Sequence, residues 1–438
     1  MSTLKFAVRG GVPAAGTPEW SALFDRSTSS SDAVRDRTAA IIARVRRDGD
    51  TALRSLALEL DGVALDSLEV PRSAWRRALD SLDPALRRAL ERAARNSRAA
   101  HTAFRPQPQS FTTVDGVVIT RRPDPLDRVG VYAPGGRATY PSSLLMGVVP
   151  AKVAGVREVI VCSPPARDGK PAAVLLAAAE IAEADGVFAL GGAGAIAAMA
   201  WGTESIARVD RIVGPGNAYV AEAKLQAAGA VAIDSPAGPS ELLVIADESA
   251  DPTVIAMEMV AQAEHDPLAA VVLVSTSRGL ARRVEDALQA LVPEAPRAVI
   301  IREAFAARGG IVTVASIEKA LAFAAQYAAE HVLVCCRAGG AVAARVRNAG
   351  TIFTGAAGSV AFGDYMTGAN HVLPTGGLAR GYSGLSTEDF YRWTTTQRVS
   401  RAAARSLASD VGTFADAEGL PAHAAAARQW KTDRRWKM

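Results

Sequence analysis

Short apolar stretches alternate with longer helix-forming stretches along most of this 438-residue chain. From about residue 141 to 234 the pattern predicts helices and strands in turn, and a second series of the same kind runs from 241 to 335. Strands that alternate with helices assemble into parallel sheets with helices packed on their faces. The chain is therefore predicted to have an α/β fold with two such blocks and smaller pieces at its ends.

Several individual elements follow from the same pattern. A Ser/Thr-rich stretch, STSSSD, offers an N-cap for a helix that begins near residue 32. The apolar run 298–301 is predicted to be a strand. Two helices, near 386–408 and 421–430, are predicted to close the chain.

Composition excludes several classes of protein. Hydrophobic residues make up 49% of the chain, which is enough to form large cores and argues against disorder. The formal net charge is only +4, and no basic stripe is interleaved with aromatic residues, so a nucleic-acid partner is not expected. The N-terminus lacks an apolar signal core and no apolar span reaches membrane length, so we expect a cytoplasmic protein without membrane contact.

The cysteines agree with that location. Cys162, Cys335 and Cys336 lie in or beside apolar strand-like runs, and no CxxC spacing occurs. They are interpreted as reduced thiols near a core.

Histidines point to a possible site. The chain has five, and four of them lie in similar settings close in sequence to carboxylates: His265, His331, His371 and His423. The fifth, His101, lies in an ordinary amphipathic helix. A single histidine of this kind is more often a hydrogen-bonded core or loop residue, but four in similar settings favour function.

Gln262 and His265 are three positions apart and share one helix face. Pro267 disfavours helix at Asp266, which places the pair in the last turn of the helix. Glutamine and aspartate oxygens with a histidine nitrogen form a donor set that suits zinc with positions left open for substrate. The spacing alone does not establish a metal, since no HExxH-type cluster occurs.

Glu330 and His331 are adjacent, between an Ala-rich helix and a strand-like run. Such a pair can divide acid and base chemistry, with one group activating water and the other moving substrate protons. It can equally be a helix-end pair in which the histidine lies near the negative helix terminus. The residues themselves leave both interpretations open.

Three tight turns adjoin predicted strands. The segment GGAGAI, which contains Gly194, loosely matches a dinucleotide-binding fingerprint but also fits simple helix–sheet packing. The Gly-Pro-Gly turn before Asn217 is less common, and Asn217 can cap the next helix so that its N-terminus faces a phosphate or a ribose. The turn PAGPSE places Ser240 at an element boundary.

Taken in order, these segments resemble the histidinol dehydrogenase family. The matching stretches, from about residue 128 to 428, are RVGVYAPGGRATYPSSLLMGVVPAKVAGV, GTESIARVDRIVGPGNAYVAEAK, IDSPAGPSELLVIAD, AQAEHDP, the Glu330-His331 pair, GDYMTGANHVLPTGGLAR followed by SGLS, and EGLPAHAAAAR. The order and spacing of so many motifs argue against chance similarity.

The resemblance implies a zinc-containing, NAD-dependent enzyme that oxidises L-histidinol twice, through an aldehyde, to L-histidine. It implies catalysis by Glu330 and His331. The implied zinc ligands are Gln262, His265, Asp364 and His423, with His423 supplied by the second subunit of an intertwined homodimer with shared active sites.

The resemblance also implies binding residues. Positions matching NAD contacts are Tyr132, Asn217 and Gly194. Positions matching substrate contacts are Ser240, Gln262, His265, His331, Asp364, Glu418 and His423, and His371 matches a further site histidine.

The implied architecture has two incomplete Rossmann-like domains and two small terminal domains. The predicted boundaries are 1–30 for an N-terminal arm, 31–107 with 238–382 for the α/β domain that carries the zinc ligands and the Glu-His pair, 108–237 for the NAD-contacting α/β domain, and 383–438 for a C-terminal helical domain.

The chain departs from the family pattern at three places. Gly194 stands where the family commonly has glutamine, Ala329 stands where YAPEH has proline, and the loop GAAGSVAF is short. None of these removes a metal ligand or a member of the Glu-His pair.

Two other functions remain open from the sequence. One is a related zinc- and NAD-dependent enzyme for another small alcohol, such as a sulfonated diol. Glu418 argues against it, because a carboxylate suits a cationic imidazole or amine rather than an anion. The other is a non-catalytic, zinc-dependent dimer that senses nucleotide, supported only by Gly194.

Overall fold

The chain is divided into two compact units. The structure, a computed structural model, describes residues 4–26, 31–135, 139–355 and 357–431. Unit 1 contains Met1–Phe104 and Leu126–Phe390, and unit 2 contains Arg105–Pro125 and Tyr391–Met438.

The secondary structure of the described residues is as follows. The strands are β1 (Val8–Gly10), β2 (Gln109–Val114), β3 (Val117–Pro125), β4 (Arg128–Tyr132), β5 (Glu158–Ser163), β6 (Gly186–Ala189), β7 (Arg211–Val213), β8 (Ala232–Ile233), β9 (Glu241–Ala246), β10 (Ala270–Ser275), β11 (Gly310–Thr313), β12 (His331–Cys335), β13 (Thr351–Thr354) and β14 (Tyr391–Val399). The α-helices are α1 (Pro18–Phe24), α2 (Asp32–Leu56), α3 (Arg72–Asp80), α4 (Pro84–Ala103), α5 (Pro141–Ala154), α6 (Ala173–Ala182), α7 (Gly192–Trp201), α8 (Ala218–Ala227), α9 (Pro252–Ala263), α10 (Arg278–Leu291), α11 (Ala298–Arg308), α12 (Ile317–Tyr327), α13 (Gly339–Ala343), α14 (Val360–Tyr365), α15 (Arg401–Ala417) and α16 (Pro421–Arg428).

One sheet of unit 1 has five strands in the order β6-β5-β4-β7-β8, with parallel pairing throughout. Val129, Val131, Val159 and Val161 in β4 and β5 have no exposed surface. Strands covered by helices on both faces are apolar along their whole length, and α5 and α7 contact β4. The parallel sheet predicted for this block is confirmed.

The other sheet of unit 1 has six parallel strands in the order β1-β11-β10-β9-β12-β13. Alternate residues of β9 point to opposite faces, so Leu242 and Val244 join a cluster with α9, α10 and α11. Leu243 and Ile245 join a second cluster with α1 and α12. Both faces of the sheet are thus buried.

Residues 298–301, predicted to be a strand, form the first turn of α11 instead. The run AVII is apolar and short, and such a run does not distinguish a strand from one turn of a buried helix. The following residues, REAFAAR, are good helix formers and extend the helix to Arg308.

Helices α2, α3 and α4 lie beside the five-stranded sheet. Helix α2 contacts α7 and α8, α3 contacts α6, and α4 contacts α5. Ser31 caps α2 by accepting a hydrogen bond from the backbone N–H of Val34. This confirms the N-cap that was predicted from the stretch STSSSD. The predicted domain boundaries, which group residues 31–107 with 238–382, stay a prediction.

Unit 2 contains an antiparallel sheet in the order β14-β3-β2 and the helix pair α15 and α16. The helix predicted near 386–408 is wrong over 391–399, where β14 pairs with β3. The sequence YRWTTTQRV is rich in aromatic and β-branched residues, which favour a pleated strand over a helix. Helix α15 begins only after Ser400 provides its N-cap.

Among the described residues, no helix is both long and apolar enough to cross a membrane.

The turn after β7 is predicted to be intolerant of substitution. Gly214 has a φ of 112°, and a Cβ atom there would lie 2.1 Å from the carbonyl oxygen of Tyr132. Gly214→Ala should therefore lower the free energy of unfolding by about 2 kcal/mol or more. Gly229→Ala, where a Cβ meets nothing within 4 Å, is the matched control. Equal thermal midpoints for the two variants would contradict this account.

Candidate functional site

A cavity of about 1480 Å³ opens in unit 1, and ten of the predicted site residues line it. They are Tyr132, Gly194, Asn217, Ser240, Gln262, His265, Glu330, His331, Asp364 and His371. Glu418 and His423 belong to unit 2, where both are exposed.

The two sheets of unit 1 line this cavity with opposite ends of their strands. From the five-stranded sheet come residues at or just beyond the carboxyl ends of β4 and β7, Tyr132 and Asn217. From the six-stranded sheet come residues at the amino ends of β9 and β12, Ser240 and His331. Ligands of parallel sheets usually bind at carboxyl ends, so only the five-stranded sheet follows the common rule.

Glu330 and His331 are both buried in the site, with 6% and 3% exposure. His331 Nδ1 donates to the backbone carbonyl of Glu241 at 3.0 Å and lies 3.5 Å from Glu330 Oε2. Because Nδ1 carries the proton for this bond, Nε2 is the nitrogen that accepts a proton when the ring is neutral. His331 Nε2 lies 3.5 Å from Asp364 Oδ1 and has no hydrogen-bond partner within the described part of the chain.

The charge state of His331 depends on its neighbours. Burial favours the neutral ring, but the charge of Glu330 and the interaction with Asp364 outweigh burial and raise the pKa of His331 to about 10. Burial also disfavours the charged form of Asp364, yet the interaction with His331 holds the pKa of that carboxyl below its usual value. Without a further cation, the pair is therefore imidazolium and carboxylate.

Asp364 is held in place by His371. His371 Nδ1 donates to the backbone carbonyl of Asp364 at 2.7 Å, and Ser143 Oγ lies 3.2 Å from His371 Nε2. Burial lowers the pKa of His371, so its ring is neutral and Nε2 accepts from the Ser143 hydroxyl. His371 thus connects the end of α14 to α5.

Gln262 lies in the last turn of α9, as predicted, but His265 lies two residues beyond the end of the helix, in a bend. Gln262 is 3% exposed and its side chain lines the cavity. Asp266 accepts from the backbone N–H of Leu268 at 2.8 Å and serves the turn.

A metal site is incomplete within one chain's described residues. No group of three or more His, Cys, Asp or Glu side chains in that part of the chain is placed to hold a metal ion. The four predicted ligands include an amide, Gln262, and a residue of unit 2, His423.

The other end of the cavity is formed by backbone turns. The hydroxyl of Tyr132 accepts from the backbone N–H of Gly192 at 3.2 Å, and burial raises the pKa of Tyr132 to about 12. Asn217 Oδ1 caps α8 by accepting from the N–H groups of Tyr219 and Val220 at 3.1 and 3.2 Å, as predicted. Its side-chain NH2 group therefore remains free to donate to a ligand.

Gly194 lies in α7 and faces α2. A Cβ at this position would lie 3.3 Å from Leu56 Cδ1 and 3.5 Å from Leu53 Cδ2. The segment GGAGAI therefore serves helix packing at the rim of the cavity as well as lining it.

Sequence reasoning missed two buried residues beside the Glu-His pair, Glu241 and Arg26. The available signal was a carboxylate at the start of the otherwise apolar strand ELLVIA. Nothing in the irregular N-terminal segment identified Arg26 as its partner.

Comparison with known proteins gives a consistent result. The family model for histidinol dehydrogenase matches residues 24–430. A histidinol dehydrogenase from Natronomonas pharaonis is 50% identical over 92% of this chain and 94% of its own length. One from Methanothermobacter thermautotrophicus is 46% identical over 93% and 96%.

A solved structure agrees with these relatives. The crystal structure of histidinol dehydrogenase from Elizabethkingia anophelis is 31% identical, covers 97% of this chain and 98% of its own, and has a TM-score of 0.92. The match covers nearly the whole length of both chains, and this chain belongs to the histidinol dehydrogenase family.

Proposed function

We propose that this chain oxidises L-histidinol to L-histidine in two NAD-linked steps, with L-histidinal held between them. One observation carries the proposal. His331 Nε2, which is the proton-accepting nitrogen, is buried without a hydrogen-bond partner among the described residues and lies in the same cavity as Gln262, His265 and Asp364. An orphaned base beside a mixed N/O donor set is suited to a bound alcohol.

His331 is the base of the first step. It takes the hydroxyl proton of histidinol on Nε2 while the carbon-bound hydride passes to NAD, which leaves the aldehyde and NADH. The ring must be neutral to do so. A cation held by Asp364 would offset one of the negative charges that raise the pKa of His331 and so shift the ring toward its neutral form.

Glu330 activates water in the second step. Its Oε2 accepts from the backbone N–H of Glu241 at 2.7 Å, and its Oε1 has no hydrogen-bond partner in the described part of the chain. Oε1 takes a proton from water as the oxygen adds to the aldehyde carbon, and the resulting hydrate gives its hydride to a second NAD. Two adjacent residues thus serve successive oxidations of one carbon.

Zinc fits the donor set of this cavity. Gln262, His265 and Asp364 line the cavity and offer an amide, an imidazole nitrogen and a carboxylate oxygen. We infer that His423 from the second copy of the chain completes the set. When bound, zinc supplies open coordination positions for the amino and imidazole nitrogens of the substrate.

NAD is assigned to the end of the cavity lined by Tyr132 and Asn217. The free NH2 group of Asn217 and the N-terminus of α8 offer hydrogen-bond donors to a phosphate or ribose. Gly194 lacks the side chain of the family's usual glutamine, so any contact with NAD there would come from its backbone.

The substrate is contacted by Ser240 and His331 from one subunit and by Glu418 and His423 from the other, in an intertwined homodimer. The carboxylate of Glu418 suits the cationic amine of histidinol rather than a sulfonate. The curated relatives described above are named histidinol dehydrogenase, so a sulfonated diol is not favoured as substrate. We assign the reaction to the cytoplasm, which agrees with three free cysteines.

The two catalytic roles are separable by substitution. Glu330→Gln should slow the oxidation of added L-histidinal by about 10²–10⁴-fold while sparing the oxidation of L-histidinol to the aldehyde. His331→Asn should slow histidinol oxidation by a similar factor, because it removes the base but keeps a donor for the Glu241 carbonyl. Single-turnover NADH formation with each substrate measures both rates.

His101→Gln is the control, because it changes a buried histidine that does not line the cavity. Its rates should equal those of the wild type. If Glu330→Gln slows both oxidations equally, the assignment of Glu330 to the water step is wrong.

The shared site can be tested with hybrid dimers. The activity followed is the formation of L-histidine from L-histidinol, and Glu330→Gln and His423→Ala should each form almost none alone. If His423 acts in the other subunit, a hybrid of the two variants contains one intact site, so equal co-expression should restore about a quarter of wild-type activity. If each subunit used its own His423, the hybrids would contain no intact site and activity would stay at background.

A further inference from the structure

Glu241 is a buried carboxylate that no catalytic step uses. It is the first residue of β9 and is 2% exposed. A carboxylate this deeply buried is costly unless it is hydrogen-bonded and paired with a cation. Arg26 provides the cation in an ion pair with Glu241 Oε2, and both side chains are 2% exposed.

Glu241 contacts the Glu-His pair through its main chain and its side chain. Its backbone N–H donates to Glu330 Oε2 at 2.7 Å, and its backbone carbonyl accepts from His331 Nδ1 at 3.0 Å. Its carboxylate accepts from the backbone N–H of Glu330 at 3.3 Å and from that of Gly376 at 2.7 Å. One residue therefore fixes the carboxylate of Glu330, the tautomer of His331 and the backbone that carries them.

Arg26 connects the same carboxylate to the helix that precedes the pair. Its guanidinium carbon lies 3.6 Å from the centroid of the Tyr327 ring, and the group donates to the backbone carbonyl of Tyr327. Ala328, the next residue, has a φ of 53°, a left-handed conformation that alanine rarely adopts. Surrounding contacts must hold this turn, and those made by Arg26 are adjacent to it.

We propose that Glu241, paired with Arg26, is a positioning residue that holds Glu330 and His331 in their reactive geometry. It touches neither substrate nor cofactor and acts through the two residues that do. The inference rests on the proposed function, because it assigns the Glu-His pair to the chemistry. It adds to that function a buried ion pair whose cation comes from the N-terminal segment.

Glu241→Gln tests the carboxylate. A glutamine oxygen can accept from only one of the two backbone N–H groups that the carboxylate now serves, and its NH2 group would face the other. The kcat for histidinol oxidation should fall by about 10²-fold, as expected for a misplacement of reacting groups by about 1 Å. The KM for histidinol should change little, because the partners of the Glu241 carboxylate, which are Arg26 and the backbone N–H groups of Glu330 and Gly376, are not assigned to substrate binding.

The double variant Arg26→Met/Glu241→Gln separates positioning from stability. Glu241→Gln leaves Arg26 buried and unpaired, which lowers the thermal midpoint by itself. The double variant removes that unpaired charge, so its midpoint should recover. Its kcat should stay low, because the carboxylate that orders Glu330 is still missing.

Asp185→Asn is the matched control. Asp185 also accepts from a backbone N–H, that of Val159 at 2.7 Å, and also pairs with a cation on another element, Lys152 at 2.9 Å. None of these residues lines the cavity. The variant should lose stability and keep the wild-type kcat.

Hydrogen exchange reports on the contacts without using activity. Amides in peptides covering residues 328–332 and 374–378 should exchange faster in Glu241→Gln and in the double variant than in the wild type or Asp185→Asn. Wild-type kcat in the double variant, or unchanged exchange in both peptides, would overturn the positioning role. A wild-type protein that forms no NADH with histidinol would instead defeat the proposed function, and the exchange result would still decide the inference.

Discussion

The pairing of β9 with β12 is the interaction on which the site depends. The two strands are parallel, and His331 is paired with Leu242 in their register. That register places Glu241 beside Glu330 and His331. The hydrogen bonds between the amino ends of β9 and β12 are therefore adjacent to the hydrogen bonds that orient Glu330 and His331. A shift of register by one residue would turn His331 to the opposite face of the sheet.

The cavity is lined by the carboxyl ends of strands from one sheet of unit 1 and by the amino ends of strands from the other. The five-stranded sheet offers glycine-containing turns and a helix N-terminus, which suit the phosphates and ribose of a dinucleotide. The six-stranded sheet places titratable side chains at the amino ends of its strands. There His331 and the nearby Asp364 carboxylate shift each other's pKa values. In the proposed function, cofactor binding and proton transfer are thereby divided between the two sheets that line one cavity.

Much of this arrangement could be predicted from the sequence. The parallel α/β blocks follow from apolar strands such as ELLVIA and AVVLVS alternating with helices, because strands of this kind need cover on both faces. Gln262, His265, Glu330 and His331 were identified because their residue types and spacing match a family pattern. Strand β14 was missed because helix-forming residues follow it, and α11 because its first turn is a short apolar run.

Other features depend on tertiary contacts that no local pattern records. Arg26 and Glu241 lie on segments far apart in the chain, and only folding brings their charges together. The packing of α2–α4 beside the five-stranded sheet is likewise set by which apolar faces meet. The roles proposed for Glu418 and His423 would involve a second copy of the chain.

The central claim is that one cavity carries out two successive oxidations at a single carbon of histidinol. The most direct measurement is the amount of NADH formed when zinc-loaded protein converts a limiting quantity of L-histidinol to completion. The account predicts two NADH for each histidinol, with L-histidine as the product. One NADH per histidinol with accumulation of aldehyde, or no NADH while zinc and the dimer are intact, would contradict it.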